Sequence, residues 1–192
     1  DAHYYLGNTY LALGCGPAAI ASFEQATRLR PDYLEAHVNL GALLELQKNY
    51  AAAETSFREA LRLDPKNAER HYSLGNILQL QDKFEAATDS YRQALALRPR
   101  HADTLNNLGN ALARLEHLDE AIHCYQEALR IQPSLAAACN NLGNTLAKQR
   151  RLDEALASYR RALDINPRYA EAQTNLGNIQ RYQGKLADAI AS

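Results

Sequence analysis

The sequence predicts an all-α protein built of stacked helix-turn-helix repeats, and two observations lead to this prediction. A Leu-Gly pair recurs every 34 residues without insertion or deletion, and the apolar residues inside each interval recur at helical spacing. The pair occupies Leu6-Gly7, Leu40-Gly41, Leu74-Gly75, Leu108-Gly109, Leu142-Gly143 and Leu176-Gly177. A fixed step of this length is typical of arrays in which each repeat is one pair of helices.

The first helix of each repeat can be followed in the second interval. It is predicted to begin at Tyr33 or Leu34 and to end at Gln47. Four residues of this helix form its buried stripe, since at about 100° per residue they fall within about 100° of arc. These residues are His37, Leu40, Gly41 and Leu44.

The second helix follows a short Gln-Lys-Asn turn and is predicted from Tyr50 to Leu63. Asp64-Pro65 ends it, because the residue before a proline is pushed away from helical dihedral angles. Alanines at two recurring positions let the helix backbones approach closely. The recurring aromatic residue, Phe57 in this repeat, is predicted to fill the remaining space in the core.

The repeats are expected to form a single array over residues 1–192, with about 5.6 units of 34 residues. The predicted units are 1–33, 34–67, 68–101, 102–135, 136–169 and 170–192, the last of which is expected to stop within its second helix. Neither end carries the polar face that closes such an array. We therefore expect the chain to be an excerpt of a longer protein.

These recurring residues resemble the signature of the tetratricopeptide repeat family, in which Leu-Gly is followed by Ala, an aromatic residue, Ala and Pro at the same offsets. The resemblance covers the whole chain. It implies a right-handed superhelical solenoid whose first helices line a concave groove, and a role in binding proteins or peptides. The interpretation that follows is a scaffold that holds an extended polypeptide in that groove.

The chain departs from the family pattern at two positions of the first helix. The tyrosine that often stands four residues after the Leu is present only as Tyr10. The position three residues before the Leu, often Trp in the family, holds His3, His37, His71, Leu105, Cys139 and Gln173. Both changes predict altered packing within the same fold, with Cys139 as a small buried residue.

Composition and charge exclude several classes of partner. Lys and Arg number 21 against 22 Asp and Glu, so the formal net charge is −1, and we expect no nucleic-acid partner because phosphate neutralisation needs a basic excess. No run of about 18 apolar residues is present, so we expect no membrane partner. The three cysteines lack CxxC spacing, which favours a reducing compartment and a cytoplasmic location.

No set of residues in the sequence predicts catalysis, a cofactor or a metal site. Gly14-Cys15-Gly16-Pro17 lies in a turn between two helices and does not follow a strand, as a phosphate-binding loop would. The recurring histidines His3, His37 and His71 would lie on helices about 10 Å apart, too far to share the metal-ligand bonds of about 2 Å that zinc requires. We expect this part of the protein to have no enzyme activity.

Asparagine flanks the Leu-Gly pairs on both sides, although it is a mediocre helix former. The first row, directly before Leu, holds Asn39, Asn107, Asn141 and Asn175, and Tyr5 and Ser73 interrupt it. The second row, directly after Gly, includes Asn76, Asn110, Asn144 and Asn178. At helical spacing both rows point away from the buried stripe. Since a primary amide both donates and accepts hydrogen bonds, the rows are candidates for binding the backbone of an extended peptide.

An acidic row lies four residues before the first asparagine row. It contains Glu35, Glu69, Asp103 and Glu171, together with Asp1, and has a gap at Ala137. One helical turn is expected to place each carboxylate beside the amide of its own helix. These residues are candidate peptide contacts at the edge of the groove, or ordinary acidic residues in a first helical turn.

Alternatives to a general peptide scaffold remain open at this point. The first asparagine row is similar to the asparagine ladder in the repeat arm of O-linked N-acetylglucosamine transferases, which implies a substrate-recognition arm whose catalytic domain lies outside this sequence. The amides of neighbouring helices can instead bond to one another and hold the repeat spacing. A third interpretation is a structural scaffold that self-associates end to end. A clamp for a terminal carboxylate is not expected, because neither of the two positions before Leu holds a cation.

Overall fold

The computed structural model describes the backbone of residues 1–191 and the side chains of residues 1–184, and it shows helices in pairs. Two compact units are present, Asp1–Pro99 and Arg100–Ser192. The N-terminal unit contains α1 Ala2–Ala12, α2 Gly16–Leu29, α3 Leu34–Leu46, α4 Tyr50–Leu63, α5 Ala68–Leu80 and α6 Phe84–Leu97. The C-terminal unit contains α7 Ala102–Arg114, α8 Leu118–Ile131, α9 Ala136–Lys148, α10 Leu152–Ile165 and α11 Ala170–Ala191. The predicted all-α class is confirmed.

Within each unit, a first helix packs against its own second helix and against the second helix of the repeat before it. The second helices end where the sequence predicts, because each is followed by a cap residue and then a proline, as at Asp64-Pro65. Several helices begin at a side-chain cap. Asn67 Oδ1, for example, accepts from the backbone N–H of Arg70 at 3.1 Å and satisfies one of the free donors of α5.

The turns inside the repeats use a left-handed residue at a fixed position. Gly14 has φ 73°, and the same position is filled by Lys48, Asp82, Glu116 and Arg150 with φ between 56° and 63°. For residues other than glycine this conformation costs about 1–2 kcal/mol. The packing of the two helices that each turn joins must therefore offset the cost.

The last helix differs from the expectation of a helix, a turn and the start of a second helix. Gly184 stands at the turn position of the sixth repeat, but α11 continues through it to Ala191. In earlier repeats an aromatic ring of the second helix packs against the glycine of the Leu-Gly pair, whereas among the described residues nothing lies within 4 Å of a Cβ placed on Gly177.

The aromatic residues of the second helices fill the centre of each helix pair, as predicted. Phe23, Phe57, Tyr91, Tyr125 and Tyr159 are all at most 4% exposed. Their rings lie over the glycines of the Leu-Gly pairs, so that a Cβ built on Gly109 would lie 2.6 Å from Cε1 of Tyr125. The glycine is required by this close approach.

The polar residues three positions before Leu bond to the loop that precedes their helix. Nε2 of His37 lies 3.0 Å from the carbonyl oxygen of Pro31, and Nε2 of His71 lies 2.9 Å from that of Pro65. Gln173 makes the same bond to the carbonyl of Pro167 at 2.8 Å. These hydrogen bonds hold the loop between repeats in place. They are the physical reason for the altered packing predicted at the position three residues before Leu.

Cys139 is too short for this bond and is fully buried, as predicted. Arg161 of α10 donates to the Pro133 carbonyl at 3.2 Å in its place. A cavity of about 200 Å³ lies beside the thiol and is lined by Leu129, Cys139, Leu142, Ala157, Ser158 and Arg161. Burial raises the pKa of the Cys139 thiol, so that the thiol stays protonated.

A buried carboxylate joins the second and third repeats. Glu54 on α4 is 5% exposed and accepts from Gln81 Nε2 and Lys83 Nζ, each at 2.7 Å. Arg58 forms an ion pair with it from the next helical turn. Burial by itself would raise the pKa of Glu54, but the hydrogen bonds from Lys83 and Gln81 and the two positive charges lower the pKa overall.

We expect Glu54→Gln to lower the free energy of unfolding by about 1–2 kcal/mol at pH 7, because a charge-assisted bond is lost. Since the folded-state pKa lies below the unfolded-state value of about 4.3, the carboxylate stabilises the fold above that value and loses this contribution as the pH falls through the folded-state pKa. Urea denaturation between pH 7 and pH 3 should therefore give a flatter pH dependence for the variant.

The matched control is Glu59→Gln on the same helix. Glu59 pairs with Arg62 at 2.8 Å, but their side chains are 42% and 59% exposed, so this ion pair contributes little. If the two variants showed equal losses and parallel pH curves, the assigned role of Glu54 would be wrong.

Candidate functional site

One face of each first helix is turned away from its second helix and carries the predicted site residues. On α3 this strip consists of Glu35, Asn39, Ala42 and Leu46, which are exposed or half-buried, whereas His37, Leu40, Gly41 and Leu44 are buried. We call the corresponding strips of α1, α3 and α5 the amide face of the N-terminal unit. The strips of α7, α9 and α11 form the amide face of the C-terminal unit.

Three of the four residues of the first asparagine row bond to the first helix of the preceding repeat. Asn39 Nδ2 donates to Asn8 Oδ1 at 3.1 Å, and Asn141 Nδ2 donates to Asn106 Oδ1 at 3.0 Å. Asn175 Nδ2 donates to Asn140 Oδ1 at 3.2 Å and to Asn144 Oδ1 at 2.9 Å. The amides therefore hold neighbouring repeats together. The Oδ1 atoms of Asn39, Asn141 and Asn175 take no part in these bonds.

Two buried asparagines complete this network, and sequence reasoning missed their role. Asn106 is 8% exposed and Asn140 is fully buried. Asn106 Nδ2 donates to Asn107 Oδ1 at 3.2 Å, so that this first-row amide is also fixed. The sequence indicates this role only by placing an amide at a position where the three earlier repeats have Tyr4, Val38 and Tyr72.

The second asparagine row bonds to the buried tyrosines of its own repeat. The hydroxyls of Tyr91, Tyr125 and Tyr159 donate to the Oδ1 atoms of Asn76, Asn110 and Asn144, each at 2.8 Å. Burial raises the pKa of Tyr159 to about 12 and raises that of Tyr125, so that both hydroxyls remain donors. The sequence contains only part of this signal, because the second repeat has Phe57 and, in the row, Ala42, whereas the first repeat has Phe23 with Asn8.

A further second-row residue lies on α11. Asn178 is exposed, and its Oδ1 accepts from the guanidinium of Arg181 at 2.5 Å. The second row is therefore fixed by tyrosine in the third, fourth and fifth repeats, and by arginine in the sixth.

The acidic row is exposed at Glu35, Glu69, Asp103 and Glu171. Glu171 lies one helical turn before Asn175, and its hydrogen bonds run to the preceding first helix. Its Oε1 accepts from Asn140 at 2.9 Å and from Asn144 at 3.4 Å, both on the preceding first helix. Successive first helices are staggered, so that the first turn of α11 meets the middle of α9.

The site residues are thus divided between the two units. The N-terminal unit holds Asn39 and Asn76 with Glu35 and Glu69. The C-terminal unit brings together the larger polar set, which consists of Asn107, Asn110, Asn141, Asn144, Asn175, Asn178, Asp103 and Glu171. Among the described residues, no three His, Cys, Asp or Glu side chains are placed to hold a metal ion.

Profiles described as tetratricopeptide repeat match residues 1–68, then 68–101, 102–135 and 136–169, and finally 158–191. The chain belongs to the tetratricopeptide repeat family. The predicted family resemblance is confirmed, and the fold of a tetratricopeptide repeat scaffold supports a role in protein interaction.

Solved tetratricopeptide repeat structures have the same fold. A crystal structure of MamA is similar with a TM-score of 0.81 and 25% identity, covering 86% of this chain and 97% of that chain. YrrB, described as a TPR protein with an unusual peptide-binding site, has a TM-score of 0.81 and 24% identity, with coverage of 90% and 89%. MamA from Desulfovibrio magneticus RS-1 has a TM-score of 0.81 and 20% identity, with coverage of 88% and 96%.

A search of curated protein sequences finds no match to this tetratricopeptide repeat chain. Among its described helices, none combines the length and the apolar character needed to cross a bilayer.

Proposed function

We propose that the amide face of the C-terminal unit binds an extended polypeptide through its backbone. The observation that carries this proposal is the placement of Asn107, Asn141 and Asn175 on successive first helices, where each amide is half-buried and held by another amide. Ordinary helix surfaces carry mobile side chains, whereas these groups are fixed and still reach solvent.

The spacing of the row suits an extended chain. Packed first helices lie about 10 Å apart, and three residues of extended peptide span about 10 Å at roughly 3.3 Å each. One backbone N–H or C=O can therefore meet one amide in every repeat. The three amides of this unit would follow about seven residues of peptide.

The hydrogen bonds within the face decide which atoms are available. Asn141 uses one Nδ2–H in its bond to Asn106, while Asn175 donates to two acceptors. A primary amide has two donors and one acceptor oxygen. We infer that the Oδ1 atoms of Asn141 and Asn175 accept from peptide N–H groups and that Asn141 can also donate to a peptide carbonyl.

The test is a triple variant, Asn107→Ala, Asn141→Ala and Asn175→Ala. A peptide array screened with the parent chain supplies a binding sequence, and fluorescence anisotropy then measures its Kd for both proteins. We expect the triple variant to bind about tenfold or more weakly, since several hydrogen bonds worth about 1 kcal/mol each are lost.

Because Asn141 and Asn175 also join repeats, circular dichroism must show equal helix content for both proteins at the temperature of the binding measurement. The matched control is Gln126→Ala with Gln132→Ala, which removes two exposed amides on and just after α8. We expect this control to bind like the parent. An unchanged Kd for the triple variant would overturn the proposed function.

A further inference from the structure

The amide face of the C-terminal unit carries opposite charges along its two edges. Each strip runs along its helix from the first turn toward the last. The strips consist of Asp103, Asn107, Asn110 and Arg114 on α7, of Ala137, Asn141, Asn144 and Lys148 on α9, and of Glu171, Asn175, Asn178 and Tyr182 on α11. Asp103 and Glu171 form the acidic edge. Arg114 and Lys148 form the basic edge, and the amides lie between the two.

The acidic edge is held in place. Oε1 of Glu171 accepts from both Asn140 and Asn144, while its side chain stays exposed. Oε2 takes no part in these two bonds. A fixed carboxylate at this position favours a cationic side chain that reaches the edge from the amide row.

Arg114 and Lys148 of the basic edge are both exposed, and Lys148 pairs with a carboxylate of the same unit. Lys148 Nζ lies 3.0 Å from Glu116 Oε1, with side chains that are 48% and 70% exposed. An exposed pair of this kind contributes little stability, so that Lys148 can exchange Glu116 for a carboxylate of a ligand. Arg150, which donates to the Tyr182 hydroxyl at 3.1 Å, adds a further positive charge beside this edge.

The N-terminal unit provides an internal comparison. At the positions equivalent to Arg114 and Lys148 it has Leu46 and Leu80, which are 79% and 52% exposed. The positively charged edge is therefore a property of the C-terminal unit and not of the repeat itself.

An extended peptide presents successive side chains on opposite sides of its backbone. A peptide whose backbone follows the asparagine row therefore directs alternate side chains toward the acidic edge and the basic edge. We propose that the C-terminal unit selects peptides in which basic and acidic side chains alternate, with the basic ones against Asp103 and Glu171 and the acidic ones against Arg114 and Lys148. This inference rests on the proposed function.

Three ten-residue peptides test it by fluorescence anisotropy against the full chain. The first alternates Lys and Glu, the second has the same composition in two blocks, and the third alternates Gln and Ser. We expect the alternating charged peptide to bind about tenfold more tightly than the block peptide at low salt, since two or more ion pairs are gained. The difference should shrink as salt is added.

Two pairs of substitutions, one isosteric and one to alanine, show which residues cause the preference for the alternating peptide. Asp103→Asn with Glu171→Gln removes the acidic edge while an acceptor oxygen stays at Glu171, and Arg114→Ala with Lys148→Ala removes the basic edge. Each pair should abolish the preference for the alternating peptide over the block peptide. Arg130→Ala with Arg160→Ala, on exposed positions of α8 and α10, is the matched control and should keep the preference.

The outcomes separate this inference from the proposed function. Equal affinity for the alternating and block peptides, with binding of both lost in the triple asparagine variant, overturns the charge selection and supports backbone binding. Failure of the parent to bind any of the three peptides overturns both proposals.

Discussion

Leu78→Ala is expected to lower the free energy of unfolding by about 2–5 kcal/mol, the range for leucine truncations that leave a cavity. Leu78 lies on α5, is 1% exposed, and stands next to the fully buried Ile77. Because α5 packs between α4 and α6, little of the lost volume can be filled by movement of a free surface. Urea denaturation followed by circular dichroism measures the change.

Leu80→Ala on the same helix is the control. It removes the same atoms and has the same effect on helix propensity, but Leu80 is 52% exposed. We expect its effect to stay within about 0.5 kcal/mol. If the two substitutions were equally destabilising, the assignment of the buried stripe in α5 would be wrong.

Gly109→Ala is expected to destabilise the fold by about 1–3 kcal/mol, as overpacking of a filled core does. The added methyl group would lie 2.6 Å from Cε1 and 2.9 Å from Cζ of Tyr125. The ring is 1% exposed, and its hydroxyl donates to Asn110. The ring therefore cannot move aside without losing its packing in the core and this hydrogen bond. Thermal or urea unfolding measures the loss.

The comparison for this prediction is Gly177→Ala, at the same position of the sixth repeat. Among the described residues nothing lies within 4 Å of a Cβ placed there, and alanine is a better helix former than glycine by about 1 kcal/mol. We therefore expect a small gain in stability. Changes of the same sign at both glycines would contradict the account of the aromatic packing.

The helix pairs could be predicted from the sequence because short-range signals define them. The residue before each proline is excluded from the helix, and the glycine and aromatic columns specify one close contact per repeat. The predicted first helix of the second repeat, Tyr33 or Leu34 to Gln47, differs from α3 by one residue at its end. The sixth unit differs from the expectation, since α11 runs from Ala170 to Ala191 where a turn and the start of a second helix are expected.

The hydrogen bonds of the candidate site were less accessible to sequence reasoning. Spacing along one helix places Glu171 beside Asn175, but it does not predict that both residues bond to Asn140 and Asn144 of the preceding first helix. The stagger between helices depends on side-chain volumes throughout the interface, and no local pattern encodes it. The tyrosine pairs were accessible only in part, since the second repeat has Phe57 with Ala42 but the first repeat has Phe23 with Asn8.

The bonds between amides of neighbouring repeats also bear on the entropy of binding. Ordering a mobile side chain at an interface costs about 0.5–1.5 kcal/mol, but Asn107, Asn141 and Asn175 are already oriented before any ligand arrives. For a peptide bound to them as proposed, the main entropic cost is the loss of the peptide's own conformational freedom. Affinity should then increase steadily with the number of asparagines that the peptide contacts. Making the peptide more rigid, for example by cyclisation, should raise the affinity more than adding contacts of the same kind.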